Sequence, residues 1–104
     1  MSGGDDEFVR DIISTFLETA GDLVDGIQFA AEHTNNEKAI YASHTLKGSA
    51  RSVGAMPLGD VCEELERLAK AGDMSSFKRA APNAKTVFGD LQSELDVFLQ
   101  PKAA

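Results

Sequence analysis

The chain has 104 residues, 42% of them hydrophobic and 26% charged, enough for one globular domain with one core. Its formal net charge of −7 argues against nucleic acid and anionic membrane as partners. No apolar run approaches the ~20 residues of a membrane span, the acidic start MSGGDDEFVR is no signal peptide, and the single Cys62 cannot form an internal disulfide, which fits a reducing cytoplasm.

Apolar residues repeat at helical spacing throughout, and no segment alternates with period two. The first segment, roughly 6–33, repeats at Val9, Ile12, Phe16, Ala20, Leu23, Ile27 and Ala30. Asp5 and Asp6 suit its N-terminus as cap and against the dipole. Gly21 is expected to kink or divide it, and His33-Thr34-Asn35-Asn36 to end it in a turn. The second segment, roughly 36–53, repeats at the small residues Ala39, Ala42 and Ser49 and at Leu46 and Val53, with Gly54 as C-cap. The third, roughly 57–71, starts with Pro57 in its first turn and repeats at Leu58, Val61, Cys62, Leu65, Leu68 and Ala69. It closes at Gly72, and Asp73 can cap the next helix. The fourth, roughly 74–100, carries an unbroken heptad at Phe77, Ala81, Ala84, Phe88, Leu91, Leu95 and Phe98. Pro82 should bend it or delay its regular start, and Pro101 should end it. Four amphipathic helices with short connections imply a single all-α domain over 1–104, an antiparallel four-helix bundle.

Charge is uneven along this frame. Residues 1–34 carry eight acids against Arg10, whereas residues 35–56 carry Glu37 against Lys38, Lys47 and Arg51. The net-positive stretch also contains His44. It reads either as chance or as a cation patch facing an anionic group. With Leu46 as the core direction, His44 lies about 160° away, on the solvent side. Lys47, Gly48 and Arg51 stand at i+3, i+4 and i+7 from it, which puts all four on one stripe. A glycine in an exposed helical turn costs ~1 kcal/mol relative to alanine, so close approach by another molecule is the better explanation of Gly48. An imidazole is substantially neutral at pH 7 and therefore nucleophilic. A lysine one turn away can offset an anion built on the ring, and a glycine leaves room for it. There is no glycine-rich phosphate loop, CxxC pair or HExxH motif, so no metal site and no nucleotide chemistry are expected.

The string HTLKGSARSVGA, with Leu58, Cys62, Leu65 and Glu66 after it, resembles the histidine-containing phosphotransfer (HPt) domain of bacterial phosphorelays. The resemblance spans nearly the whole chain, because the four-helix order and the short connection after the motif also match. It implies that the exposed histidine takes a phosphoryl group from an aspartyl phosphate on a receiver domain and passes it to another receiver. By that resemblance His44 is the phosphorylated residue, Lys47 its neighbouring cation and Gly48 the clearance beside it. Family members place a Gln or Glu 22 residues after the histidine, which is Glu66 here, to hold the other ring nitrogen. Read alone, Glu66 lies at the edge of the third helix's core face, either an ordinary flank glutamate or a carboxylate able to reach a neighbouring helix.

The resemblance further implies receiver domains of response regulators and hybrid histidine kinases as partners. It implies no cofactor of the chain's own, with magnesium held by the receiver. Arg51 is expected to assist Lys47. Ile13, Leu17, Ile40 and Tyr41 lie off the core heptads and either cover core edges or form the docking patch. His33, without lysine and glycine company, is expected to be a solvated surface histidine, and Cys62 core packing. A monomeric, cytoplasmic, free-standing carrier is expected. The alternatives are the phosphoacceptor domain of a chemotaxis-type histidine kinase and a helical adaptor without chemistry.

Overall fold

The computed structural model describes the backbone of residues 2–100 and the side chains from residue 6. It contains α1 (Ser2–Glu32), α2 (Asn36–Ser52), α3 (Met56–Lys70) and α4 (Met74–Leu99), with no strand among the described residues. Each helix packs on its sequence neighbours, and α4 closes back on α1, giving an antiparallel four-helix bundle.

The helix ends reflect local chemistry. Asn35 caps α2, its side chain accepting from the Lys38 amide at 3.1 Å. Gly54 has φ +80, and Gly54 N–H and Ala55 N–H return to the carbonyls of Arg51 and Ala50, a glycine-terminated helix end. Gly72, with φ +75, repeats the arrangement after α3. Asp73 then caps α4, accepting from the Ser76 amide at 3.0 Å. Gln100, which ends α4, has ψ 142, an extended value favoured in any residue that precedes a proline. Pro101 itself lies outside the described residues.

Expectations at the helix ends and along the helices need correction. α1 starts at Ser2, so Asp6 lies inside its early turns and not at a cap, and the Asp5 side chain lies outside the described residues. α1 also runs undivided through Gly21, which lies against the Phe88 ring, because the buried neighbours Leu17, Ala20 and Val24 hold it on the core. α4 begins regularly at Met74 and contains Pro82. Next to that proline, the Ala81 carbonyl accepts from Gln28 Nε2 of α1 at 2.7 Å, a tie between the two long helices. Finally, the buried stripe of α2 runs to Ala50, with Ser49 half-buried and Val53 exposed.

The core lies where all four helices overlap. Leu46, Leu58, Leu65, Ile27 and Phe77 are fully buried there, each worth about 2–3 kcal/mol of transfer free energy. Ala39, Ala42 and Ala50 let α2 approach closely, and the buried Ser43 hydroxyl is satisfied by the Ala39 carbonyl at 2.6 Å. α2 and α3 have 17 and 15 residues, against 31 and 26 in α1 and α4. At 1.5 Å per residue the long pair outruns the short pair by roughly 15–20 Å. Val9, Ile12 and Phe98, all expected in the core, lie on that overhang and are exposed. Among the described residues no helix is long and apolar enough to cross a membrane.

Candidate functional site

Halfway along α2 the His44 side chain is 65% exposed, while the Glu66 carboxylate opposite it on α3 is 5% exposed. His44 Nδ1 stands 2.9 Å from Glu66 Oε2. Lys47 Nζ lies 2.7 Å from Oε1, and Lys70 Nζ lies 2.9 Å from Oε2. Burial alone would disfavour the ionised carboxylate, but the contacts from Lys47, Lys70 and His44 outweigh it and hold its pKa down to about 2. An ionised carboxylate can only accept, so the shared proton sits on Nδ1. In the neutral ring this tautomer leaves the lone pair on Nε2, and the ring is open to solvent.

The α2 backbone explains why these groups meet. Lys47 is one residue past the buried Leu46 and so lies on the flank of α2 that faces α3. From there its stem is half-buried and its ammonium reaches the carboxylate. Lys70 stands one turn after Glu66 on α3 and closes on it from outside. Lys70 lies outside the His44 stripe of α2, and its readable signal in the sequence is the i,i+4 acid–base pair with Glu66. Gly48 lies beside His44, and a Cβ built there meets no atom within 4 Å. No helix contact requires that glycine.

Arg51 departs from its expected place. Its guanidinium is turned toward α3, with Nη2 2.9 Å from Glu63 and 3.3 Å from Asp60. Its stem lies over Gly59, where a Cβ would sit 2.8 Å from Arg51 Cγ. Arg51 thus cross-links α2 to α3. The net-positive stretch is accordingly no open cation patch, since Lys47 and Arg51 are paired with acids of α3 and Lys38 lies 5.3 Å over the Phe29 ring. The off-heptad residues also separate. Leu17 is 8% exposed and belongs to the core, Ile13 and Ile40 pack half-buried against it, and Tyr41 is 65% exposed. Of these four, only Tyr41 offers a free apolar surface near His44, one turn before it on α2. His33 stacks on Phe29 at 4.0 Å, away from the cluster. Cys62 is buried, and burial pushes its thiol up to about 12, which leaves it an inert packing residue.

The family model described as the Hpt domain matches residues 11–100. A curated relative, histidine-containing phosphotransfer protein 2 of Oryza sativa subsp. japonica, is 26% identical over 100 residues, covering 94% of this chain and 67% of the relative. No solved structure matches the chain.

Proposed function

The chain belongs to the Hpt domain family, whose work is phosphotransfer in phosphorelays, and from that premise we propose that His44 carries the phosphoryl group between receiver domains. The observation that carries this reading is the contact of a solvent-open imidazole with a buried, ionised carboxylate at 2.9 Å. Glu66 holds the proton on Nδ1, and Nε2 attacks the phosphorus of a receiver's aspartyl phosphate in line. The new N–P bond forms as the P–O bond breaks, and the aspartate departs as a carboxylate. The ring then carries substituents on both nitrogens and a positive charge, which Glu66 offsets. Transfer onward reverses these steps with a second receiver.

Lys47 and Lys70 keep Glu66 ionised and fixed, so they act through it as positioning residues. Gly48 leaves the space that the phosphoryl group and the docking receiver occupy. The partners in this reading are the receiver domains of response regulators and hybrid histidine kinases. Magnesium belongs to the receiver's acidic pocket, and the carrier works as a cytoplasmic monomer. Incubation with a phosphorylated receiver, with ATP alone and with candidate kinases tests the reading. Acid-labile, base-stable label gained only from the receiver supports it. Label gained from a kinase without any receiver would make the chain a kinase's phosphoacceptor domain instead. No label from any source would leave a helical adaptor.

A further inference from the structure

Beyond the α2–α3 turn, α1 and α4 run on as a two-helix arm, and among the described residues no helix covers their inner face. The face holds a groove of about 520 Å³ lined by Val9, Ile12, Val53, Leu91, Leu95 and Phe98, among others. Val9, Ile12, Val53 and Phe98 are 44–60% exposed. Apolar residues at heptad positions, gathered around one open trough, are the mark of an interaction surface. Its volume lies within the roughly 300–1,000 Å³ of ordinary binding sites.

Charge selects the occupant. Residues 6–12 and 90–100 hold Asp6, Glu7, Asp11, Asp90, Glu94 and Asp96 against the single base Arg10. Arg10 is turned to the end of α4, donating to the Leu99 and Gln100 carbonyls at 3.0 and 3.1 Å. Asp11 lines the depression on one side of the trough, and Asp90 and Glu94 line the one on the other. The trough is thus apolar along its floor, with Asp11 beside one rim and Asp90 and Glu94 beside the other. A second copy would bring the same acids against these, and an anionic lipid surface would be repelled. A helix with apolar anchors at i, i+3 or i+4 and i+7, and lysine or arginine on its flanks, satisfies both floor and rims.

We propose that this trough docks a basic amphipathic helix of a partner protein, at a site separate from His44. Val53 is nine residues from His44 along α2, about 13 Å of helix rise, so a helix seated in the trough leaves the histidine open. The proposal does not rest on the phosphotransfer reading, and its failure would leave that reading untouched.

The test titrates the full chain with three synthetic peptides of about 18 residues, long enough for five helical turns. One is an amphipathic leucine–lysine helix, one is its leucine–glutamate counterpart, and one is a scrambled leucine–lysine sequence. Affinity is read by calorimetry and the contact surface by amide chemical shifts. The leucine–lysine helix should bind at least about tenfold more tightly than either control. Its shifts should fall on α1 up to Phe16, on the α2–α3 turn and on α4 from Leu91. The Ile12→Ser/Phe98→Ser double variant should lose about tenfold or more in affinity with an unchanged melting curve. Should that variant melt early, the exposed pair Asp11→Lys/Glu94→Lys still decides, because it should transfer the preference to the leucine–glutamate helix. Equal binding of both charges, shifts centred on His44, or self-association through Ile12 and Phe98 in sedimentation would each overturn the proposal.

Discussion

Replacing Glu66 by glutamine probes the cluster through stability alone. The substitution keeps the shape and removes the charge that Lys47, Lys70 and His44 share. The carboxyl moves from an ordinary 4.5 to about 2 in the folded chain. That difference of about 2.5 pKa units corresponds to a ceiling of roughly 3 kcal/mol favouring the ionised form. Lys70 and His44 are 61% and 65% exposed, so solvent screens part of it. About 2 kcal/mol is then the expected cost at pH 7. For a domain of this size it lowers Tm by about 8–16 °C. The pH dependence comes from the depressed pKa. Above about pH 4.5 the full stabilisation is present, and as pH falls toward 2 the unfolded chain binds the proton first and the stabilisation is lost. Glu64, held down by Arg67, and Asp73, held down by Ser76, titrate in both proteins and cancel in the comparison. Thermal melts of the two proteins from pH 7 to pH 2 should therefore converge at the acid end. A gap that stays constant with pH, or no gap at pH 7, would refute the buried three-donor carboxylate.

Lys47→Ala and Lys70→Ala should each slow phosphotransfer about ten- to a hundred-fold without abolishing it, as removal of a charge-assisted contact worth about 1–3 kcal/mol requires. Rapid-quench transfer assays in both directions check this, and an unchanged rate would take that lysine out of the mechanism. Gly48→Gln should keep or raise Tm, because the site is open and glutamine is a good helix former, while transfer falls steeply and affinity for unphosphorylated receiver weakens. A lower Tm with normal transfer would make the glycine structural. Gly59→Ala should lower Tm, since its Cβ would meet the Arg51 stem at 2.8 Å. Arg51→Ala in the same background should restore part of the loss, and additive effects in this cycle would deny the contact.

The helices are legible in the sequence because nearly every boundary carries its own chemistry. Asn35, Asp73, Gly54 and Gly72 are local signals, and local signals survive without knowledge of the fold. The start of α1 lacks one, and the apolar pattern alone puts its boundary four residues late. The unbroken heptad of α4 is a true pattern, but a pattern does not say how far its neighbours reach. Phe98 continues the core register past the ends of α2 and α3, and so it lies in the open. Within the site, the solvent-facing His44 and the unfilled space beside Gly48 are consequences of helix angle alone. Arg51 is not, because a long side chain can leave the direction of its Cβ and reach an acid on another helix. The depth at which Glu66 sits is likewise set by how closely α2 and α3 pack, which the small residues of α2 permit but do not specify.

The central claim is that His44 is the phosphoryl carrier. Peptide mapping by mass spectrometry of the chain after exposure to a phosphorylated receiver, for wild type, His44→Gln and His33→Gln, tests it most directly. The expected result is one acid-labile, base-stable phosphoryl group on the peptide that contains His44. It should be retained in His33→Gln and absent in His44→Gln, whose stability should stay within the ~0.5 kcal/mol typical of an exposed substitution. A phosphoryl group on any other residue, or one that persists in His44→Gln, would contradict the claim.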